Sequence, residues 1–440
     1  MQKQYLDKVL KVKPNAQYGF FLNIKAHFPV RTHDYLNDLP PAVDNIAVER
    51  DWLGPYQDDL VEKLDNGRFS VTKKLVPHLG PRTDYVIHYQ ELQYYIKLGM
   101  VVDEVTEILS FKQTNWLAQY IDFNTKLCQK AENDFEKGFF KLMNNAVYGK
   151  TMENVRKYQD VKIMALNNDK DEKKFRKKIR KPSFKYARQF SENLIGAHMG
   201  KASVVLNKPI IVGASVLGLS KLLMYQFWYG YLKEKYGDKV KLGYMDTDSF
   251  IFETETEDIY KDMAERPDIF TLNENVTIGL MKDECAGTMI TESIHIRAKS
   301  YHYVLADGTN KSKHKGVSQQ GINETASNIY FPTLGSSLLD DPIAKTFDPM
   351  TQMYQDCLFE NETFNAKNIG FRSNNHTINL VESDKKALCP IDTKRWILSD
   401  KMSSLAYSHW RIRIFKKLIE RGVAKDEAEK RALIVRLKPE

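Results

Sequence analysis

Tyr244-Met245-Asp246-Thr247-Asp248-Ser249 is the stretch on which the reading of this chain turns. It sits inside residues 240–253, which read as two short apolar strands bent around a pair of carboxylates. Leu242 and Tyr244 lead in; Phe250, Ile251 and Phe252 lead out. Side chains alternate along a strand, so aspartates at i and i+2 are expected to point the same way and repel each other. A cation between them relieves that repulsion, and two hard oxygen ligands with room for water suit Mg²⁺. A merely polar hairpin tip would carry the same residues, so the rest of the chain has to decide.

The chain has 440 residues, enough for two or three domains with a large core. Its net charge is +8, a mild excess that suits a polyanionic partner. Cys128, Cys285, Cys357 and Cys389 are far apart and form no C-x-x-C pair. That spacing argues against a zinc ribbon or a disulfide framework and for a reducing compartment. Residues 1–13 are polar and basic, without the apolar run of a signal peptide. No stretch approaches the length of a transmembrane helix, so no membrane partner is expected. The expectation is a soluble intracellular protein, with the nucleus or a viral replication site as candidate locations.

Periodicity organises the remainder. Residues 85–98 carry apolar side chains at helical spacing, with Gly99 as a stop. Residues 101–111 alternate and are β-branched, which predicts a strand. Two helices are expected over 115–131 and 132–148, a long apolar helix over 216–236, further sheet over 268–303 and a charged helix over 424–437. Lysine and arginine crowd residues 170–188, interspersed with Asp169, Asp171 and Glu172. Such a run is either a solvated surface or a nucleic-acid contact.

The second signal is Lys141-Leu142-Met143-Asn144-Asn145-Ala146-Val147-Tyr148-Gly149-Lys150. At about 100° per residue, Lys130, Lys137, Lys141 and Tyr148 fall near one line if the helix is continuous. Phe135, Phe139, Leu142 and Ala146 fall on the far side, which is expected to pack. Ammonium groups spaced along a helix can neutralise a triphosphate, and the tyrosine can pack near a base or sugar. An amphipathic surface helix with solvated lysines is the plainer alternative.

These two stretches resemble the Y-x-D-T-D-S and K-x-x-x-N-S-x-Y-G motifs of family B DNA polymerases. Lys141, Asn145, Tyr148 and Gly149 stand at the matching positions, and Ala146 stands where serine is usual. Downstream, Arg297-Ala298-Lys299-Ser300-Tyr301 matches the K-x-Y element of the protein-primed branch. Further stretches resemble the protein-primed polymerases of Polinton or Maverick transposons, virophages and adenoviruses: residues 112–116, 148–154, 220–224, 282–284, 315–317 and 392–396. The likeness runs from about residue 15 onward and is least clear over 320–385. Cys128 stands where relatives often carry arginine, with Lys126 and Lys130 as possible compensation.

The resemblance implies an α+β fold with palm, fingers and thumb. Residues 1–112 would form a partial palm with a family-specific insertion, 113–155 the fingers and 156–200 a basic insertion. Residues 201–303 would form the palm with its carboxylate hairpin, and 304–440 the thumb and C-terminal region. It implies DNA-directed DNA synthesis from a protein primer, with primer–template DNA, dNTPs and a terminal protein as partners. Asp248 and Asp246 would be the catalytic metal ligands for Mg²⁺. Lys141, Lys137, Asn145, Tyr148 and Gly149 would bind nucleotide, and Lys299, Tyr301, Lys130 and Arg297 would hold primer or DNA. A reverse transcriptase is disfavoured, because its carboxylate pair reads Y-x-D-D.

Two-metal nucleotidyl transfer needs carboxylates from two strands. The family's other carboxylate motif, D-x-x-S/N-L-Y, is not found over residues 1–130, and Gln17-Tyr18-Gly19-Phe20-Phe21-Leu22-Asn23 resembles the stretch that follows it. The expectation is therefore a polymerase portion lacking the exonuclease domain and the first catalytic palm strand, inactive alone. Its two-metal site would be incomplete. The alternative is a non-catalytic nucleic-acid-binding remnant. Asp283, Glu284 and Glu292 are the candidate substitutes for the missing ligand.

Overall fold

The computed structural model describes residues 2–201, 203–272, 277–314, 316–331, 347–374 and 376–437. Lys315 of the 315–317 stretch, and residues 332–346 and 375 of the region of least clear resemblance, lie outside these. The chain forms two compact units: residues 1–116, 218–369 and 382–440 make the first, and 117–217 with 370–381 the second. The 113–155 and 156–200 stretches thus fall almost wholly in one unit. The fold mixes helix with small sheets of two or three strands.

The first unit is built on a three-stranded antiparallel sheet with Tyr18–His27 between Arg82–His88 and Val101–Lys112. Leu22, Ile24, Ala26 and Ile87 leave it for the core. The helix expected over 85–98 begins only at Tyr89, because Arg82–His88 is a strand. Its Tyr85, Val86 and Ile87 pair with Tyr18–His27, and this non-local ladder overrides the helical spacing. Ring packing completes the core, with Tyr95 edge-on to Tyr225 at 5.5 Å.

The expected 216–236 helix is longer than its pattern suggested. It runs Ile210–Phe227, passes a π turn at Trp228–Leu232 and ends in Lys233–Tyr236. By length and composition alone, Ile210–Lys239 could cross a bilayer, which corrects the expectation that no stretch approaches that length. Tyrosine, glutamine and lysine interrupt the apolar run and mask its length in the sequence. Those tyrosines are core residues with their polar tips satisfied: Tyr225 donates to the Pro40 carbonyl at 3.0 Å and Tyr229 to the Leu39 carbonyl at 2.8 Å.

Two satellite cores complete the first unit. One joins Ile294 and Ile296 to Met353, Tyr354 and Leu388; the other joins Trp396 and Tyr407 to Ile412 and Phe415. The 392–396 stretch is a structural seam here. Gln57 donates to the Arg395 carbonyl at 2.8 Å and accepts from the Ile397 N–H at 3.0 Å, while Arg395 donates to the Asn37 carbonyl at 2.9 Å.

The second unit contains a pair of helices, Ala118–Lys130 and Asp134–Thr151, and a three-stranded sheet. In that sheet Leu194–Met199 lies between Asp160–Ala165 and Phe184–Ser191, antiparallel to both. The outer strands are therefore parallel, and the helix Asp169–Ile179 makes the crossover between them. The expected basic run is thus split between a helix and a strand.

Candidate functional site

The carboxylate hairpin pairs Val240–Asp246 with Ser249–Thr254, with Ser249 opposite Asp246 and Ile251 opposite Tyr244. Among the described residues it is a two-stranded sheet of its own, where a palm sheet shared with other strands was expected. Side-chain packing holds it instead. Phe250 stacks on Trp228 at 5.9 Å and packs against Phe227 at 5.5 Å. Asp246 ends its strand, whereas Asp248 lies in the turn, so strand alternation does not set their relative direction. Thr247 has φ 56°, and the Asp248 N–H reaches the Asp246 carbonyl at 2.6 Å. A β-branched residue in the left-handed region is strained, and such strain concentrates at functional sites.

The ladder jumps from Ile251–Tyr244 to Phe252–Leu242, leaving Gly243 as a bulge. A Cβ there would meet His295 Nε2 at 2.8 Å and the Ile251 carbonyl at 3.1 Å. The missing side chain admits the strand Ile290–Arg297, which pairs with Ser300–Leu305 through a turn at Ala298-Lys299. Lys299 sits at the tip with φ 63°.

This docking brings two of the sequence signals together. Lys299 Nζ lies 2.9 Å from Asp246 Oδ2, and the Lys299 N–H donates to the Tyr244 hydroxyl at 3.1 Å. Tyr244 lies 4.6 Å from Tyr301, ring centre to ring centre, and Tyr301 stacks on Tyr303 at 6.1 Å. Burial alone would raise the Asp246 carboxyl. The Lys299 ammonium and the Thr247 and Tyr244 hydroxyls outweigh it and hold the group below the usual carboxylate range. Burial, and next the Asp246 charge, push the Tyr244 hydroxyl up to about 12, so it stays a neutral donor and acceptor. Arg297 opens the Ala298-Lys299 turn, paired with Ser300.

Asp246 Oδ1 accepts from the Thr247 hydroxyl at 3.1 Å, and Asp248 is exposed. Asp248 and Asp246 could together supply hard oxygens to one water-rich Mg²⁺ only if the Lys299 ammonium, 2.9 Å from Asp246 Oδ2, gave way. They do not fit a two-metal clamp, because no group of three or more His, Cys, Asp or Glu side chains gathers among the described residues. Asp283 is turned onto the N–H groups of Cys285 and Gly287, and Glu292 accepts from Gln355 at 2.9 Å. Neither of these two candidate substitutes is free.

The lysine-bearing residues belong to the second unit. The helix there is not continuous: Lys130 ends Ala118–Lys130, and Asn133 caps a new helix by accepting from the Glu136 N–H at 2.9 Å. Lys130 therefore leaves the line of Lys137, Lys141 and Tyr148. Lys137, Lys141, Asn145, Tyr148 and Gly149 are all exposed on Asp134–Thr151. The apolar face expected to pack does not: Phe135 is 82% exposed, Leu142 62% and Phe139 47%. The neighbouring helix takes the adjacent face instead, where Asn144 donates to Thr125 Oγ1 at 3.4 Å and Tyr120 to the Met143 carbonyl at 3.3 Å. Lys150 is engaged by Glu153 at 2.8 Å, and Lys208 holds the same carboxylate at 2.9 Å.

Tyr244, Thr247, Gly243 and His295 were not singled out individually from the sequence. Gly243 could have been, since a glycine inside an apolar strand pattern marks a bulge or a close backbone approach. Tyr244 and His295 depend on a pairing about fifty residues apart in the sequence, and Thr247 on the backbone of the turn itself. No family model, no curated protein and no solved structure matches this chain.

Proposed function

We propose that the chain is a portion of a DNA-directed DNA polymerase of the protein-primed family B type, in which Asp248 and Asp246 hold Mg²⁺ and the Lys299–Tyr301 turn steadies the primer end. The observation that supports this most is the meeting of the Y-x-D-T-D-S hairpin with the K-x-Y turn, through Lys299 and Asp246 at 2.9 Å. The K-x-Y triplet carries weight only through its position after the carboxylate motif, and the docking of its turn on that hairpin supports the same pairing. Mg²⁺ would supply charge neutralisation for a phosphoryl group and activation of an attacking hydroxyl. Asp248 would be the principal ligand, exposed and without a competing side-chain cation among the described residues. Asp246 would assist, oriented by Thr247 and Lys299. Lys137 and Lys141, exposed on one helical face, would neutralise triphosphate charge. Tyr148 and Gly149 would line the nascent pair and Asn145 would position the nucleotide.

A second reading is a nucleic-acid-binding protein without turnover. It is favoured by the absence, among the described residues, of a third carboxylate beside Asp246 and Asp248. The experiment is Mn²⁺ binding and primer extension on the 440-residue chain, alone and fused to a segment carrying an aspartate-bearing strand. The proposal expects weak Mn²⁺ binding that Asp248→Asn removes, negligible extension alone, and extension restored by the fusion. Mn²⁺ binding indifferent to Asp248→Asn would overturn the assignment of the hairpin.

A further inference from the structure

Within the basic run of residues 170–188, four side chains gather on one side of a helix. In the helix Asp169–Ile179 and its C-terminal cap, Lys173, Arg176, Lys177 and Arg180 fall at i, i+3, i+4 and i+7. All four are exposed and together line one open concavity. Lys174 points elsewhere and is neutralised by Asp171 at 3.0 Å. Within the face, Arg176 has Glu172 at 3.3 Å as its counter-charge, and no ion pair engages Lys173, Lys177 or Arg180 among the described residues.

Part of this layout serves the helix itself. Acids near the N-terminus and bases near the C-terminus complement the helix dipole, and Asn168 caps by accepting from the Asp171 N–H at 3.1 Å. The dipole does not account for Lys173, two turns from the C-terminus. Nor does it account for cations stacked at i,i+3 and i,i+4, where like charges destabilise a helix. Lys170, Lys178 and Lys181, which no ion pair engages among the described residues, extend the charge along the same segment and compound that repulsion. A polyanion laid along the face relieves it.

We infer that Lys173, Arg176, Lys177 and Arg180 form a sequence-independent cradle for the phosphate backbone of a nucleic-acid strand, separate from the carboxylate hairpin. Seven residues of helix span about 10 Å, room for two or three successive phosphates. The role assigned to the four is phosphate neutralisation, which positions a strand without discriminating its sequence. The inference deepens the polymerase reading, because it supplies a second hold on the same polymer, but its chemistry does not require turnover.

The test measures the salt dependence of binding for the full chain, using a fluorescent single strand and a duplex of mixed sequence. Glutamine keeps helix propensity, so Lys173→Gln/Lys177→Gln removes two charges without unfolding the helix. The slope of log K against log salt should fall by about 1.4 on the single strand or about 1.8 on the duplex. Lys174→Gln should leave it unchanged. An unchanged slope on both probes in the folded double variant overturns the inference. So does equal loss in Lys174→Gln, which would mean diffuse charge and no face. Binding to phosphatidylserine vesicles that the double variant loses, with nucleic-acid slopes intact, also overturns it. Failure of the polymerase reading is distinguishable: it shows as Mn²⁺ binding indifferent to Asp248→Asn, whatever the slope does.

Discussion

Lys299 and Asp246 form an ion pair at 2.9 Å although 53 residues separate them in the chain. The pair is half-exposed, with the ammonium 64% and the carboxylate 35% accessible. Its contribution to stability is therefore about 0–1 kcal/mol. Its effect on the carboxylate is larger in consequence, because Lys299 is the chief group keeping Asp246 ionised against burial.

Lys299→Met should raise the Asp246 pKa and leave the melting temperature nearly unchanged. A ¹³C carboxyl titration of Asp246 reads the first, and thermal unfolding the second. A titration curve that does not move would show that the ammonium is not held there in solution.

Gly243→Ala should cost about 1–3 kcal/mol, because its Cβ would overlap His295 Nε2 and crowd the Ile251 carbonyl. The loss should be accompanied by separation of the two hairpins. Crosslinking between residues 246 and 299, introduced as cysteines, should fall in the alanine variant. Undiminished crosslinking would place the docking elsewhere than at the bulge.

Lys221 lies 3.4 Å from Glu91, whose side chain is 5% exposed. Burial raises the Glu91 pKa despite Lys221. Lys221→Met leaves that carboxylate buried and unpaired, at a cost of about 3 kcal/mol at neutral pH. A group whose folded pKa lies above its unfolded value binds a proton more readily when folded. The deficit should therefore shrink as pH falls, and denaturant midpoints of the two proteins should converge between pH 8 and pH 5. Parallel midpoints would mean that Glu91 is not the cause.

In the second unit, His198 Nε2 meets His376 Nε2, and Tyr186 stacks on His198 at 4.1 Å. Burial, then His376 and Lys185, lower the His198 pKa. A lowered histidine pKa means that the undocked form binds the proton more readily. The contact should be fully formed above about pH 6.5 and lost as pH falls through the lowered value. Hydrogen exchange in the strands Phe364–Asn374 and Thr377–Leu388 should quicken at pH 5 relative to pH 7.5. The acid-induced quickening should be reduced in His376→Gln, which removes the ring that His198 meets. Equal quickening in both proteins would assign it to another group.

Much of the local structure was legible. The strand–turn–strand around Asp246 and Asp248, the strand Val101–Lys112 and the helix Asp134–Thr151 follow from alternation, helical spacing and capping, which act over a few residues. The chemistry-bearing residue types were legible for the same reason: carboxylates at a turn and ammonium groups along a helix announce themselves by spacing. What failed was whatever depends on a distant partner. Arg82–His88 became a strand because Tyr18–His27 lay alongside it, and Phe135, Phe139 and Leu142 stayed exposed because the neighbouring helix took a different face.

The sequence by itself determined which side chains are available for metal and phosphate chemistry, and that Asp246 and Asp248 sit at one tight turn. Only the tertiary structure decided that Lys299 would answer Asp246 and that Tyr244 would brace the Lys299 turn. Local propensities fix the conformation of a segment, but which segments meet depends on whether shapes such as the Gly243 bulge allow close approach. That is a property of two stretches together, not of either one.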